Sequence, residues 1–366
     1  MKTSEKDKIW ILGALGRSGK AIARELAAQG GSLVLVGRRE LALRELASTL
    51  GIDADVIVAG TLEEIATAIT RGSPRLVINT IGPFSRTALP LVRACPPGTD
   101  YVDVGNELPA LLELAAMHEE LAATNRCVVH GAGWGVLATE SVVYRLCDGR
   151  PRPQYVRVDN VASVKTSGPL GHTLAEGILD GIAYGGRRYA GGKLKHAFAG
   201  SDHERFMLPD GTTASTGLIP SAELEAARVA SGASHVVAGF PGTPGGLVRL
   251  AVPVLALLLR IPALRRFAAS KIATLVPPSS MRDASWARAR ITWPDGMERT
   301  GWLRAGDGYD FLAKAAAGVA QRLLDGKGKP GCFTPGHLFG PELSKEAGGE
   351  FLLEADTGTS DTRPGH

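Results

Sequence analysis

Three glycines spaced three apart, Gly13, Gly16 and Gly19, follow directly on the apolar run Ile9-Trp-Ile-Leu12 and open an Ala-rich helical pattern from Lys20 to Gln29. Glycines at such a turn let backbone approach an anion closely. The helix that starts there offers it unpaired N–H groups and the positive end of a dipole. The chemistry that fits is the binding of a dinucleotide pyrophosphate, with Gly13, Leu15, Gly16, Arg17, Ser18 and Gly19 forming the loop. A second apolar run, Leu33-Val-Leu-Val36, ends in Gly37-Arg38-Arg39. A site for NAD places an Asp or Glu at this point, on the ribose 2′-hydroxyl. Two guanidiniums suit a 2′-phosphate instead, so NADP(H) is the cofactor expected.

Other chemistries find less support. There is no HExxH and no GxSxG in a strand–turn–helix context, so neither metal hydrolysis nor Ser/His/Asp catalysis is expected, and no metal site. Cys95, Cys127, Cys147 and Cys332 are scattered, without a CxxC pair or histidines at metal spacing, and read as thiols of a reducing compartment. Tyr189-Ala-Gly-Gly-Lys193 has the Tyr-x-x-x-Lys spacing of a lysine-assisted tyrosine. Its two internal glycines each cost the required helix about 1 kcal/mol, which argues against that reading.

The elements that would position the glycine loop are legible as an alternation. Strand-like runs at 54–58, 75–79, 101–104 and 126–130 are separated by helical patterns at 40–50, 62–70, 86–95 and 107–124, and a further one follows at 135–147. That order implies a parallel sheet covered by helices, with ligands outside the carboxyl ends of its strands. Residues 1–150 are thus expected to form a Rossmann domain. After the turn-rich linker 148–153 come alternating segments at 155–165, 204–208, 235–240, 286–293 and 298–304, with helices at 173–183, 222–229 and 309–324. They predict an α+β domain over 151–308 with a mostly antiparallel sheet, serving substrate binding and dimerisation. The segment 309–345 is expected to pack back on the first domain, and 356–366, polar and Gly/Thr-rich, to be a disordered tail.

A length of 366 residues with 44% apolar content fits two such domains. The net charge of +4, without basic runs interleaved with aromatics, argues against nucleic acid as a partner. The charged start, Met1 to Lys8, does not resemble a secretory signal, and a cytoplasmic location is expected. The run Leu250–Leu259, bounded by Arg249 and Arg260, is too short to span a bilayer. It reads either as packing against the protein itself or a partner subunit, or as a greasy lid over an acyl substrate with interfacial membrane contact.

Four ordered motifs resemble the saccharopine dehydrogenase-like oxidoreductases. Val77-Ile-Asn79-Thr-Ile-Gly82-Pro83-Phe84 is similar to that family's V-N-x-x-G-P-F/Y, with Ile78 as an extra residue. Gly98-Thr-Asp-Tyr101-Val-Asp103-Val-Gly-Asn-Glu107 matches G-x-x-Y-V-D-x-x-x-E, and Gly131-Ala-Gly133-Trp134 matches G-x-G-F/W. Thr334-Pro335 with Gly340 and Leu343 looks like the C-terminal T-P-x-x-x-x-G-x-x-L. Within the family the motifs point to the trans-acting enoyl reductase branch, whose members reduce carbon–carbon double bonds for polyketide pathways. The resemblance implies an NADPH-dependent reductase of an activated C=C bond in a hydrophobic or polyketide-derived metabolite. Two alternatives stay open: a saccharopine-type dehydrogenase or imine reductase, and a non-catalytic NADPH-binding interaction protein. A small apolar substrate and a homodimer are the partners expected.

The same motifs nominate further site residues. Asn79 ends a strand and either orients the Gly82-Pro83 turn or bonds the nicotinamide ribose. Asp103 either holds the chain or sits beside the nicotinamide. Gly133 offers another close approach, and Trp134 either presents a flat face to the ligand or packs in the core. Reduction also needs a proton donor. His130, His172 and Tyr184 are the candidates, with water or the substrate as alternatives.

Overall fold

The computed structural model describes residues 8–165, 168–243, 252–276 and 282–353. Six strands appear in turn along the first part of the chain: β1 (Ile9–Leu12), β2 (Leu33–Gly37), β3 (Asp55–Val58), β4 (Leu76–Asn79), β5 (Asp100–Asp103) and β6 (Cys127–Val129). Their neighbours are all parallel. The centre of the sheet is apolar along whole strands: β1, and β2 up to Val36, are buried residue by residue. This is what helices on both faces demand. β3, at the edge, is exposed at both ends.

The second sheet begins with β7 (Tyr155–Val161), β8 (Gly186–Ala190), β9 (Lys193–Ala197), β10 (Glu204–Met207), β11 (Thr213–Leu218), β12 (His235–Pro241), β13 (Ser285–Thr292) and β14 (Glu298–Ala305). The chain then returns to the first sheet with β15 (Gly331–Phe333) and to the second with β16 (Glu350–Leu353). The orders are β15-β6-β5-β4-β1-β2-β3 and β10-β11-β12-β7-β13-β14-β16, with the β8–β9 hairpin attached to β12.

The α/β architecture read from the sequence is what the chain adopts, including a second sheet that is mostly antiparallel. One pairing departs from the rule: β7 and β12 run parallel. The chain between them is long enough to cross over, which a parallel pair requires. β8, β9, β11, β15 and β16 escaped the sequence reading because their segments are short and charged, polar or Gly-containing, without an apolar run or a clean alternation. The helical pattern expected at 107–124 is two helices, Leu108–Ala115 and His118–Ala123, separated where Met117 leaves helical backbone (φ −90, ψ 4). Residues 250, 251 and 356–366 lie outside the described residues.

The helix Trp134–Cys147 joins the two sheets. Ten of its fourteen residues are buried, and Trp134, Leu137, Ala138, Val142, Val143 and Leu146 share one core cluster with Ile11 of β1 and Ile291 of β13. A helix buried on nearly every side needs no amphipathic stripe. The helix Gly308–Leu324 packs on the helix Arg17–Ala28 that follows the glycine turn.

Candidate dinucleotide site and reaction centre

The site lies where the first sheet changes direction. β1 is flanked by β2 on one side and β4 on the other, so the loops leaving β1 and β4 diverge and open a crevice at their carboxyl ends. Gly13 takes φ +74, and a Cβ there would come within 2.9 Å of Thr80 and Ile81. A Cβ on Gly19 would lie 2.4 Å from the Gly13 carbonyl, so this position must be glycine for helix and turn to meet. Gly16 differs: its φ is −69, and the Gly13 carbonyl at 3.2 Å is the one atom within 4 Å of a Cβ there. A side chain there would press on that carbonyl by a few tenths of an ångström and otherwise meet no atom within 4 Å of its Cβ. No side chain caps the Arg17–Ala28 helix, so its first N–H groups face outward unpaired.

Leu15 and Ser18 are half-buried in this turn, and Arg17 is exposed, its guanidinium 5.1 Å from the Tyr309 ring centre. Gly37 closes β2, and Arg38 and Arg39 are exposed beyond it, with no acidic partner among the described residues. An uncapped helix start, an open Gly16 and two unpaired guanidiniums form a donor set that fits a pyrophosphate and a 2′-phosphate.

The loop after β4 is tied down from several directions. Asn79 is fully buried; its Oδ1 accepts from the Ile81 amide at 2.9 Å, and its Nδ2 donates to the Tyr101 hydroxyl at 2.9 Å and to Thr87 Oγ1 at 3.3 Å. Asn79 therefore orients the turn, with both of its amide hydrogens taken inside the protein. Thr80 Oγ1 donates to the Leu12 carbonyl at 2.7 Å, tying this turn to the glycine loop. The Gly82–Pro83 peptide is cis. Pro83 precedes the Phe84–Ala94 helix, whose first amides, Phe84 and Ser85, donate to the Glu107 carboxylate at 3.0 and 2.7 Å.

Asp103 performs the same service one strand further on. Its Oδ1 accepts from the amides of Gly105 (3.0 Å) and Gly131 (3.2 Å), fixing the turns after β5 and β6 together. It also accepts from His130 Nδ1, at 2.9 Å to Oδ1 and 3.0 Å to Oδ2, and both side chains are fully buried. His130 Nε2 is buried without a partner. A Cβ on Gly105 would stand 2.8 Å from both the imidazole Cε1 and the Phe84 ring, so this glycine gives the ring its room.

Trp134 is core rather than ligand surface. It is 5% exposed, meets Phe311 edge to face at 5.0 Å, and its Nε1 donates to Asn160 Oδ1 at 2.7 Å. Asn160 donates in turn to Glu223 Oε1 at 3.2 Å. Burial pushes the Glu223 carboxyl above the usual range, against hydrogen bonds and the nearby His130, which draw it down. Glu223 Oε2 is, like His130 Nε2, buried and unpartnered. Gly133 faces Leu312, and a Cβ there would sit 3.5 Å from it.

The helix His172–Tyr184 separates two of the proton-donor candidates. His172 is exposed at its start, where the next residue, Thr173, would lie 2.9 Å from a Cβ on Gly82. Tyr184 ends the helix, about 18 Å away at 1.5 Å per residue. Its ring lies 4.1 Å beneath the Arg187 guanidinium, away from the cofactor edge. Tyr189 and Lys193 belong to the β8–β9 hairpin, so the Tyr-x-x-x-Lys spacing falls on no helix. Among the described residues no three His, Cys, Asp or Glu side chains converge to hold a metal.

Sequence reasoning missed Asn160 and Glu223. Neither stands in a motif, and they meet only because β7 and the Ala222–Ser231 helix pack on the same side of Trp134.

No family model matches the sequence. The chain is similar to the trans-acting enoyl reductase of Mycobacterium leprae, 33% identical over 145 residues, or 38% of this chain and 35% of the relative. The trans-acting enoyl reductase of Mycobacterium tuberculosis is 31% identical over 154 residues, 40% of this chain and 37% of the relative. Each match thus spans little more than a third of the relative's length. Among solved structures, the apo saccharopine dehydrogenase (L-Glu forming) of Saccharomyces cerevisiae shares the fold. Its TM-score is 0.58 at 14% identity, over 95% of this chain and 100% of that one. The expected resemblance to trans-acting enoyl reductases is thus found in sequence over 38–40% of the chain, and the fold is shared with a saccharopine dehydrogenase.

Proposed function

We propose that the protein is an NADPH-dependent reductase of an activated carbon–carbon double bond in a hydrophobic metabolite. The observation that carries the cofactor is the uncapped glycine turn beside unpaired Arg38 and Arg39. The reaction class rests on the enoyl reductases that the sequence resembles. Bound NADPH supplies a hydride to the electron-poor carbon.

The chain's own part is positioning and proton supply. Arg38 and Arg39 hold the 2′-phosphate, the first amides of the Arg17–Ala28 helix hold the pyrophosphate, and the turns locked by Asn79, Glu107 and Asp103 shape the crevice beyond. Asp103 holds His130 by Nδ1, which leaves Nε2 as the atom that exchanges a proton with the carbon skeleton. An amino-acid conjugate, and with it the imine-reducing alternative, would call on Arg187, Arg188, Lys193 and Lys195: Arg187 donates to the Gly186 carbonyl at 2.9 Å and Arg188 pairs with Asp202 at 3.4 Å, while the two lysines stand exposed on the β8–β9 hairpin.

Stopped-flow mixing of the NADPH-loaded protein with a 2-enoyl thioester tests the reading. Loss of nicotinamide absorbance with formation of the saturated thioester is expected. Oxidation with cyclic imines but not with enoyl thioesters would overturn it in favour of imine reduction, and oxidation with neither would leave a binding protein.

A further inference from the structure

The helices Val252–Leu258 and Pro262–Thr274 pack on the His172–Tyr184 helix through a small cluster of Leu179, Leu259 and Ala269. They bury little beyond that. Val254, Leu255, Leu257, Leu258, Ile261 and Phe267 stand 43–60% exposed, an apolar face larger than scattered surface leucines explain.

The charge on this face is one-sided. From Val252 to Val276 the chain carries Arg260, Arg265, Arg266 and Lys271 and no Asp or Glu. The acids that approach from the neighbouring helix, Glu176 and Asp180, are already taken: Arg265 binds them at 2.7 and 2.6 Å and Arg86 at 3.2 and 2.9 Å. Arg260, Arg266 and Lys271 have no acidic partner among the described residues. The Lys271 ammonium lies 5.6 Å from the Phe267 ring centre, so apolar and cationic groups are interleaved.

We propose that this face docks the protein peripherally on an anionic lipid bilayer. Its leucines and Phe267 enter the acyl boundary, and Arg260, Arg266 and Lys271 meet the lipid phosphates. No helix among the described residues is long and apolar enough to cross a membrane, so the contact is interfacial. A second copy of the chain is the poorer occupant. A two-fold contact sets the same patch against itself, bringing cation to cation with no acid to answer them. The inference is independent of the cofactor and the reaction.

The test uses the full chain and sucrose-loaded vesicles of phosphatidylcholine with and without phosphatidylglycerol. Co-sedimentation with the anionic vesicles only, weakening as salt rises, is expected. Replacing Arg260, Arg266 and Lys271 with Gln should lower the partition coefficient by roughly fivefold per cation, on the order of a hundredfold together. Leu257→Asp with Phe267→Asp should abolish binding while the melting temperature and NADPH affinity stay near wild type. Wild-type protein that stays in the supernatant with both vesicles overturns the proposal. So does a dimer, seen by analytical ultracentrifugation, that the Leu257/Phe267 double variant splits while vesicle binding is absent or unchanged.

Discussion

The carboxylate of Asp103 grips His130 by Nδ1 at 2.9–3.0 Å, and the other ring nitrogen, Nε2, is left buried with nothing to bond. An orphaned polar atom in an interior costs free energy unless a bound group completes it. If His130 Nε2 delivers the proton, His130→Gln should lower kcat by about 10²–10⁴-fold while NADPH affinity changes less than twofold. A variant with wild-type turnover and only a lower melting temperature would make the imidazole a packing element. Asp103→Asn should cost stability as well, since two backbone amides and the imidazole all depend on its oxygens.

Arg38 and Arg39 set the nicotinamide preference in this reading. Two charge-assisted pairs to a 2′-phosphate, each about 1.5–3 kcal/mol, imply that NADPH binds at least about tenfold more tightly than NADH. Arg38→Asp with Arg39→Ala should erase or invert that ratio in a fluorescence titration. Equal wild-type dissociation constants for the two cofactors would refute the assignment.

Gly16 and Gly13 should respond differently to substitution. Gly16 has an ordinary φ, and the Gly13 carbonyl at 3.2 Å is the sole atom within 4 Å of a Cβ there, a contact the exposed turn can relieve by a small shift. Gly16→Val should therefore fold with a near-native melting temperature and fail to bind NADPH. Gly13→Val meets positive φ and Thr80 and Ile81 at 2.9 Å, so it should destabilise the fold itself. Normal NADPH titration by Gly16→Val would show that the pyrophosphate lies elsewhere.

Stability should also depend on pH through Glu140. This carboxyl on the Trp134–Cys147 helix is fully buried, accepting from Thr334 Oγ1 and the Gly336 amide, each at 2.6 Å. Burial pushes it from an ordinary 4.5 to about 8, against those hydrogen bonds. With the folded value raised, the unfolded chain gives up its proton first. This contribution to stability is therefore full below pH 4.5 and is lost as pH rises to about 8. Glu140→Gln should flatten that decline in the melting temperature between pH 5 and 8. An identical pH profile for both proteins would show that Glu140 ionises normally.

Much of the nucleotide-binding turn is legible in the sequence alone. The glycine turn was legible because only glycine satisfies the positive φ of Gly13 and the close approach at Gly19, and both constraints are local. Asn79 and Asp103 were found as strand ends, but what their side chains bind was not, since Tyr101, Thr87 and His130 reach them through the sheet. The direction of Trp134 was equally hidden: it depends on Asn160, which the next element, β7 of the second sheet, presents to it. Arg187 and Arg188 carry no strand signal in the sequence, because a segment rich in charge and glycine shows neither an apolar run nor alternation. The helix expected at 173–183 already parts His172 from Tyr184, but that Thr173 lies against Gly82 was not legible, since it depends on how the helix packs.

β15 gives the cofactor half of the molecule an order of assembly. It pairs Gly331–Phe333 with Cys127–Val129, and the His130 amide donates to the Phe333 carbonyl at 3.0 Å. The strand that flanks the proposed reaction centre thus leaves the ribosome about 200 residues after the strand it completes, a contact of very long sequence separation. Until then β6 has a bare edge and the backbone at His130 lacks its anchor. The nascent chain can close its phosphate turn early. It cannot finish the wall behind His130 until residues 331–333 have followed.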